Sequence, residues 1–419
     1  MFKKKIVNDP IYGFITIPDG IIFQLIEHPW FQRLRRIEQL GVTHLVYPGA
    51  IHTRFHHTLG AMHLMHKAIE TLRSKGIEIT DKEEESAKLA ILLHDIGHGP
   101  LSHNLEHSIV HHIPHEDMSS IFMEKLNKEF NGQLTLAIKI FRNKHPKKFL
   151  HQLVSSQLDV DRLDYLTRDT FFTGVSEGVV GYDRIINMLN VAKGNLVVEA
   201  KGIYSIEKFI IARRIMYWQV YLHKTVLSAM ELVVNIFTRA KELAANGEEL
   251  FCTPALKLFI YNNFTKKDFE KNTDLINAFA MLDDHDVMSC IKVWIKHTDF
   301  VLSTLCHWLI NRRLYSTFLQ KEPFSQLKIK QLVKKAKSQY GLNDKDVSYF
   351  VFSGEVENAI YKSEARQQAK GHLSSGYINI LYPEGKTIDI TKASDYPGAG
   401  DLDKITRKYF LCYPKELKF

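Results

Sequence analysis

The chain has 419 residues, of which 45% are hydrophobic and 24% charged, and it carries a net charge of +8; this is the composition of an ordinary globular protein with room for one large domain or two. No apolar run approaches the ~20 residues of a membrane span, and the opening MFKKKIVNDP lacks the apolar stretch of a signal peptide. Cys252, Cys290, Cys306 and Cys412 are scattered without a C-x-x-C pair, which predicts free thiols in a reducing cytoplasm and excludes a thiolate zinc site.

Residues 20–245 read mostly as helices, with no internal repeat and no low-complexity linker. In HTRFHHTLGAMHLMH (52–66), Arg54 and His57 are three residues apart and share a helical face. Thr80-Asp81-Lys82-Glu83 is a capping box. Behind it Ala87, Ala90, Ile91 and His94 form one stripe, so a helix is predicted to run into ILLHDIGHGPLSH (91–103) and stop at Gly97. In SSQLDVDRLDYLTRD (155–169), Val160, Leu163 and Leu166 mark a packing face, while Asp161, Tyr165 and Asp169 line another side at four-residue spacing. NLVVEAKGIYS (195–205) predicts a hairpin turning at Lys201-Gly202, and residues 206–245 a long helix. Beyond about residue 250, more helix to about 340 gives way to short strands. YINILYPEGKTIDI (377–390) is a further hairpin, and KYFLCYP (408–414) a strand. The expected fold is mainly α. A helical core over 1–245 is followed over 246–419 by a smaller α+β lobe, packed on the core and involved in oligomerisation.

His94-Asp95 at a helix end, flanked by the two blocks above, points to a divalent transition metal, since imidazole and carboxylate commonly combine around such an ion with open positions for water. A lone histidine on a helix is ordinarily a core or surface residue, and His63 and His66 read that way. The charge of +8 suits nucleotides or nucleic acid without choosing between them.

The segments NDPIYGFI, FQRLRRIEQLG, YPGAIHTRFHHTLG, LLHDIGHGPLSH, DVDRLDYLTRD and YLHK occur in that order over roughly residues 5–225. With them the chain resembles the HD-domain deoxynucleoside-triphosphate triphosphohydrolases. No sterile-alpha-motif domain of the kind some relatives carry is expected ahead of Asn8. The resemblance implies that His57, His94, Asp95 and Asp161 bind one divalent ion (Mn, Fe, Zn or Mg), with Mg accompanying the nucleotide. It places Arg54, Arg162 and Arg213 on phosphates, Arg162 standing where many relatives have Lys. It gives His98, His103, Glu106 and His115 the catalytic role beside the α-phosphorus, Glu106 replacing a shorter acid. Gln39, Tyr165, Asp169 and Tyr221 would form the deoxyribose pocket. Arg213, Tyr217, Tyr221 and Lys224 fall near one helical face, with Lys224 a further substrate contact. Lys5, Ile6, Glu27, Gln32 and Arg35 match positions where relatives bind an activating guanine nucleotide between subunits, which implies a dimer or tetramer. The implied reaction is hydrolysis of a dNTP, with dGTP the suggested preference, to deoxynucleoside and tripolyphosphate. The rival reading is an HD-type nuclease acting on single strands, though no interleaved basic and aromatic stripe supports it.

Overall fold

A hairpin opens the chain in the computed structural model, which describes residues 5–102, 105, 110, 113–359, 361, 377–395 and 404–417. Strands β1 (Lys5–Asp9) and β2 (Gly13–Ile17) pair antiparallel with Asn8 opposite Phe14. Ile15 and Ile17 point into the core while Phe14 faces out, the two-residue period of a half-buried strand. Helix α1 (Ile21–Glu27) buries Ile21, Ile22, Leu25 and Ile26 in the core.

The core is built on three helices. Helix α2 (Arg54–Ser74) packs against both α3 (Asp81–Leu92) and α4 (Val160–Thr173). The start of α3 is the expected capping box: Glu83 N–H donates to Thr80 Oγ1 at 3.2 Å, and Thr80 N–H to Glu83 Oε2 at 2.9 Å. Its end departs from the expectation, because the helix stops at Leu92 and His94–Gly97 form a turn. Gly97 serves close packing instead. A Cβ there would lie 2.2 Å from the Ser119 amide nitrogen and 2.5 Å from the His115 carbonyl oxygen. Helix α4 is capped by Asp159, whose Oδ1 accepts from Arg162 N–H at 2.7 Å, and it ends at Gly174 in the left-handed region (φ 73°).

Two further expectations are corrected. The hairpin in the 190s is β3 (Leu189–Ala192) with β4 (Asn195–Glu199), and it turns at Lys193-Gly194. Those two residues have φ of 51° and 77°, as a two-residue turn with both central residues left-handed requires. Lys201-Gly202 lies in a short 3₁₀ turn leading into α5 (Ile203–Met216). The long helix expected over 206–245 is broken. A π-turn at Tyr217–Tyr221 and an extended His223 (ψ 132°) separate α5 from α6 (Lys224–Ala245), and the pair bends by 56°. Such π-turns are frequent at functional sites.

The later residues add helices, among them α7 (Phe300–Ile310) packed on α6, and two small sheets. In one, β5 (Ser316–Gln320) and β6 (Phe352–Ala359) flank β9 (Ile405–Tyr413), all antiparallel, so the expected terminal strand is present. In the other, the expected hairpin of β7 (Asn379–Leu381) and β8 (Thr387–Asp389) joins β4 through a parallel pairing of Val198 with Ile380. The fold is mainly α with a smaller α+β C-terminal part. Contacts cross residue 245 at several points: buried Arg33 donates to Leu282 O at 3.1 Å, and Arg239 bonds Asp299 through Nη2 (2.6 Å) and Nε (3.1 Å). Among the described residues no single helix is long and apolar enough to cross a membrane, and all four cysteines are free thiols.

Candidate metal and phosphate site

His57, one turn into α2, and His94, in the turn after α3, bring their Nε2 atoms to 3.4 Å from each other. Asp161, in the first turn of α4, sets Oδ1 at 3.1 Å from His57 Nε2 and 3.5 Å from His94 Nε2. Asp95 offers one oxygen 3.2 Å from His94 Nε2 and the other 3.7 Å from His57 Nε2. One ligand atom each from His57, His94 and Asp161 lie within 4.8 Å of one another, a spacing that suits one shared ion, and Asp95 stands beside them. The outer nitrogens support the fit. His57 Nδ1–H donates to Asp164 Oδ2 at 2.7 Å and His94 Nδ1–H to Ile91 O at 2.6 Å. Both rings are thereby fixed with their Nε2 atoms on the shared point, the arrangement that metal-ligating histidines use. These residues can therefore hold a divalent ion.

The electrostatics agree. Burial would raise the carboxyl of Asp95, but Arg54, His94 and His98 hold it well below its usual range. Burial likewise opposes ionisation of Asp161, and hydrogen bonds from His57 and His94 reverse that. Asp95 reaches beyond this group: a second cluster joins it to His98 and His115. His98 is buried, lies 3.4 Å from Asp95 and stacks on His115 with ring centroids 3.8 Å apart. Burial and the neighbouring Arg54 push its pKa well down, so its ring is neutral. His115 stands in the first turn of the helix His115–Glu129. His103 and Glu106 lie outside the described residues.

Arg54 is buried and already engaged: its guanidinium bonds Asp95, and Nε donates to Ser102 Oγ at 2.9 Å. Ser102 and Leu101 have φ of 55° and 54°, an uncommon conformation for such residues. They are held there by Leu101 N–H donating to Asp284 Oδ1 (2.6 Å) and Ser102 Oγ–H to Glu38 O (2.7 Å). Arg162 pairs with its own helix cap, Nη1 to Asp159 Oδ2 at 2.6 Å. Of the buried side-chain polar atoms without a hydrogen-bond partner among the described residues, three belong to residues expected to meet substrate: Gln39 Oε1, Arg162 Nε and Arg213 Nε.

Beside them Tyr165 and Tyr217 stand edge-on to Tyr221, with centroids at 6.3 and 5.2 Å. The Tyr221 hydroxyl donates to Asp169 Oδ2 at 2.7 Å, and His52 Nε2–H donates to Oδ1 at 2.8 Å. The structure thus gathers Arg162, Tyr165, Asp169, Arg213 and Tyr221 near the His/Asp group. Lys224 does not share their helical face, because the π-turn and the bend set it, exposed, at the start of α6.

Of the five residues matched to an activator, Lys5, Ile6, Glu27 and Arg35 are exposed. The Lys5 ammonium sits 3.6 Å over the Phe23 ring and the Arg35 guanidinium 3.6 Å over Phe55. Gln32 accepts from Arg35 Nε at 2.8 Å and donates to Ile26 O at 2.7 Å. His63 packs on Tyr12 and His66 pairs with Glu84, so neither joins the site. Sequence reasoning missed His52, Asp159, Asp164 and Ser102. Only Asp159 carried a local signal, as an acid directly before a helical stripe.

The HD domain family matches residues 54–169, and the HD associated region matches residues 180–250. The chain is 34% identical over 430 residues to the uncharacterized protein YwfO of Bacillus subtilis, covering 99% of this chain and 93% of that one. The crystal structure of a phosphohydrolase from Bacteroides thetaiotaomicron superposes with a TM-score of 0.92 at 49% identity, covering 98% of this chain and all of that one. A deoxynucleoside triphosphate triphosphohydrolase SAMHD1 homolog from Dictyostelium discoideum is 31% identical over 267 residues, 59% of this chain and 52% of that protein. Residues 54–169, the span that contains His57, His94, Asp95 and Asp161, thus match a known architecture, and the chain belongs to the HD-domain family, in the form that carries an HD associated region.

Proposed function

We propose that the chain is a metal-dependent phosphohydrolase that cleaves dNTPs to deoxynucleoside and inorganic tripolyphosphate. One observation carries the reading: the His/Asp group lies beside arginines whose buried Nε atoms lack a partner and an aromatic box whose Tyr221 hydroxyl bonds Asp169. The likeness to a relative named as a dNTP triphosphohydrolase supports the same substrate class.

His57, His94, Asp95 and Asp161 would hold the divalent ion, which would supply positive charge for a phosphate oxygen and acidity for water. Arg213 and Arg162, through their unpartnered Nε groups, bind the triphosphate and neutralise the charge that the attacking oxygen brings onto it, while the electron pair of the bond from the α-phosphorus to O5′ leaves with O5′. Asp169, fixed by His52 and Tyr221, and Gln39 hold the sugar through its 3′-hydroxyl. His115, stacked on His98, positions the attacking water. His103, oriented by Glu106, gives the proton to O5′. Water oxygen therefore ends on the tripolyphosphate and the proton on the nucleoside. The finer reading adds a dGTP preference and guanine-nucleotide activation at Lys5, Ile6, Glu27, Gln32 and Arg35. That site would lie between subunits of a dimer or tetramer, to which residues 246–419 contribute.

The test is chromatography of products from each dNTP with Mn²⁺ or Mg²⁺, in water labelled with ¹⁸O. Tripolyphosphate carrying the label is the expected result. Nucleoside monophosphate from single-stranded DNA with dNTPs untouched would replace this reading with the nuclease, and label in the nucleoside would overturn the position of attack.

A further inference from the structure

The NDPIYGFI segment contributes no residue to the site described above, yet one of its side chains is connected to it. Asp9 closes β1. Its Oδ1 accepts from the backbone N–H groups of Ile11 (2.9 Å) and Tyr12 (3.0 Å), which fixes the turn into β2. Its Oδ2 takes Nη1 of Arg168 at 2.8 Å. Arg168, on α4, is fully buried and grips Asp164 with both remaining donors, Nε to Oδ2 at 3.0 Å and Nη2 to Oδ1 at 2.9 Å. Asp164 in turn accepts from His57 Nδ1 at 2.7 Å. Carboxylate, guanidinium, carboxylate and imidazole thus run unbroken from the N-terminal hairpin to the candidate metal ligand.

The neighbouring chain is shaped around this line. Gly60, one turn beyond His57 on α2, has no room for a side chain. A Cβ there would meet Asp164 Oδ1 at 2.0 Å and Arg168 Nη2 at 2.2 Å. Tyr12 lays its ring 5.5 Å from the Arg168 guanidinium and seals the pair from the hairpin side. Burying an ion pair of this kind costs desolvation that its own attraction barely repays, so stability alone is a weak reason for it.

We infer that Asp9, Arg168 and Asp164 are positioning residues, a relay through which the N-terminal hairpin holds His57 in the ring orientation and tautomer that metal binding needs. This rests on the reading of His57 as a metal ligand. Asp164 keeps the proton on Nδ1, leaving Nε2 to the ion. Arg168 fixes Asp164 so that it cannot turn from the ring. Asp9 decides where Arg168 sits, so a displacement of the hairpin reaches the metal without any hairpin residue touching it.

The test titrates Co²⁺ into the chelator-treated full chain, read by calorimetry and by the visible absorption of the bound ion. His57→Ala reports on the ligand assignment itself. Asp164→Asn is expected to weaken Co²⁺ binding by about 10–100-fold, the usual effect of losing a partner behind a ligand. Asp9→Asn retains an oxygen for the two turn amides and loses only the charge facing Arg168. It is expected to weaken binding in the same direction but less, with a shifted absorption band. Ile15→Val, a core change in the same hairpin, is expected to leave affinity and spectrum as in wild type. Should Asp9→Asn not fold, Arg168→Lys, which keeps the charge but cannot bridge both carboxylates, reads the same quantity. Wild-type affinity and spectrum in Asp9→Asn or Arg168→Lys, with binding lost in His57→Ala, would overturn the relay and leave the functional reading standing. No Co²⁺ binding by wild type would overturn that reading, and the relay with it. Equal loss in Ile15→Val would reduce the hairpin's effect to general destabilisation and refute the relay.

Discussion

Replacing Tyr221 separates a gate from a packing residue. Its hydroxyl is committed to Asp169 at 2.7 Å and its ring is boxed by Tyr165 and Tyr217, so a sugar lying against it meets aromatic carbon. A deoxyribose presents only hydrogen there. A ribose would bury a 2′-hydroxyl with no acceptor, which costs about 1–3 kcal/mol on mutational scales. At ~1.4 kcal/mol per tenfold, that is a preference for dGTP over GTP of roughly five- to 150-fold in kcat/KM before any steric overlap. Tyr221→Ala should erase most of the ratio by raising the relative rate with GTP. Tyr221→Phe keeps the ring and should keep the ratio. It deprives a buried carboxylate of a donor, though, and should cost about 1.5–3 kcal/mol, seen as lower activity on both sugars or lower thermal stability. The assay is steady-state kinetics on paired dGTP and GTP for wild type and both variants. A ratio unchanged in Tyr221→Ala, with wild type selective, would refute the argument that this ring sets the preference.

Three other outcomes follow from the same geometry. His94→Ala or Asp161→Ala should bring tightly bound metal to background by elemental analysis and abolish hydrolysis with far-UV circular dichroism preserved; unchanged metal content in both would remove them from the ligand set. In chelator-treated protein, burial lowers the pKa of His57, but Asp161 and Asp164 outweigh it and push the ring up to about 10. Because this value is raised, the proton stabilises the fold below about pH 6.5, and that contribution is lost as pH rises through about 10. An entering ion must displace the proton, so metal affinity should climb by about tenfold per pH unit below that value. Calorimetry in buffers of different ionisation enthalpy counts the proton, and zero release would contradict the scheme. Gly97→Ala would press a methyl group onto the backbone of Ser119 and His115, so it should destabilise by about 1–3 kcal/mol or more; a wild-type melting temperature would show that the turn yields easily.

Local patterns were readable in proportion to how locally they are satisfied. The capping box at Thr80–Glu83 and the hairpin at 377–390 use partners a few residues away, and both are present. The turn after β3 was misplaced because residues 189–205 hold two Lys-Gly pairs, and only the strand pairing across Lys193-Gly194 tells them apart. The π-turn at Tyr217–Tyr221 has neither Gly nor Pro to announce it, so an unbroken helix was the natural reading. His52 finds its partner 117 residues away in Asp169, beyond the reach of any spacing rule.

Helix α4 shows why the site's support was harder to see than the site. Val160, Leu163 and Leu166 are buried as their spacing predicts. Asp161, Tyr165 and Asp169, four residues apart, do reach the pocket side, as the ion pairs and ring contacts of each attest. Asp164 and Arg168 have the same spacing and would ordinarily be a solvated surface pair worth a few tenths of a kcal/mol. Here both are fully buried, because Asp9 from one side and His57 from the other complete their bonding. A polar pair on a helix reveals its burial only through what lies opposite, and in this chain the groups opposite come from the first hairpin and from α2. The α4 residues that would meet the substrate are therefore legible from the helix alone, while those that hold them require the fold.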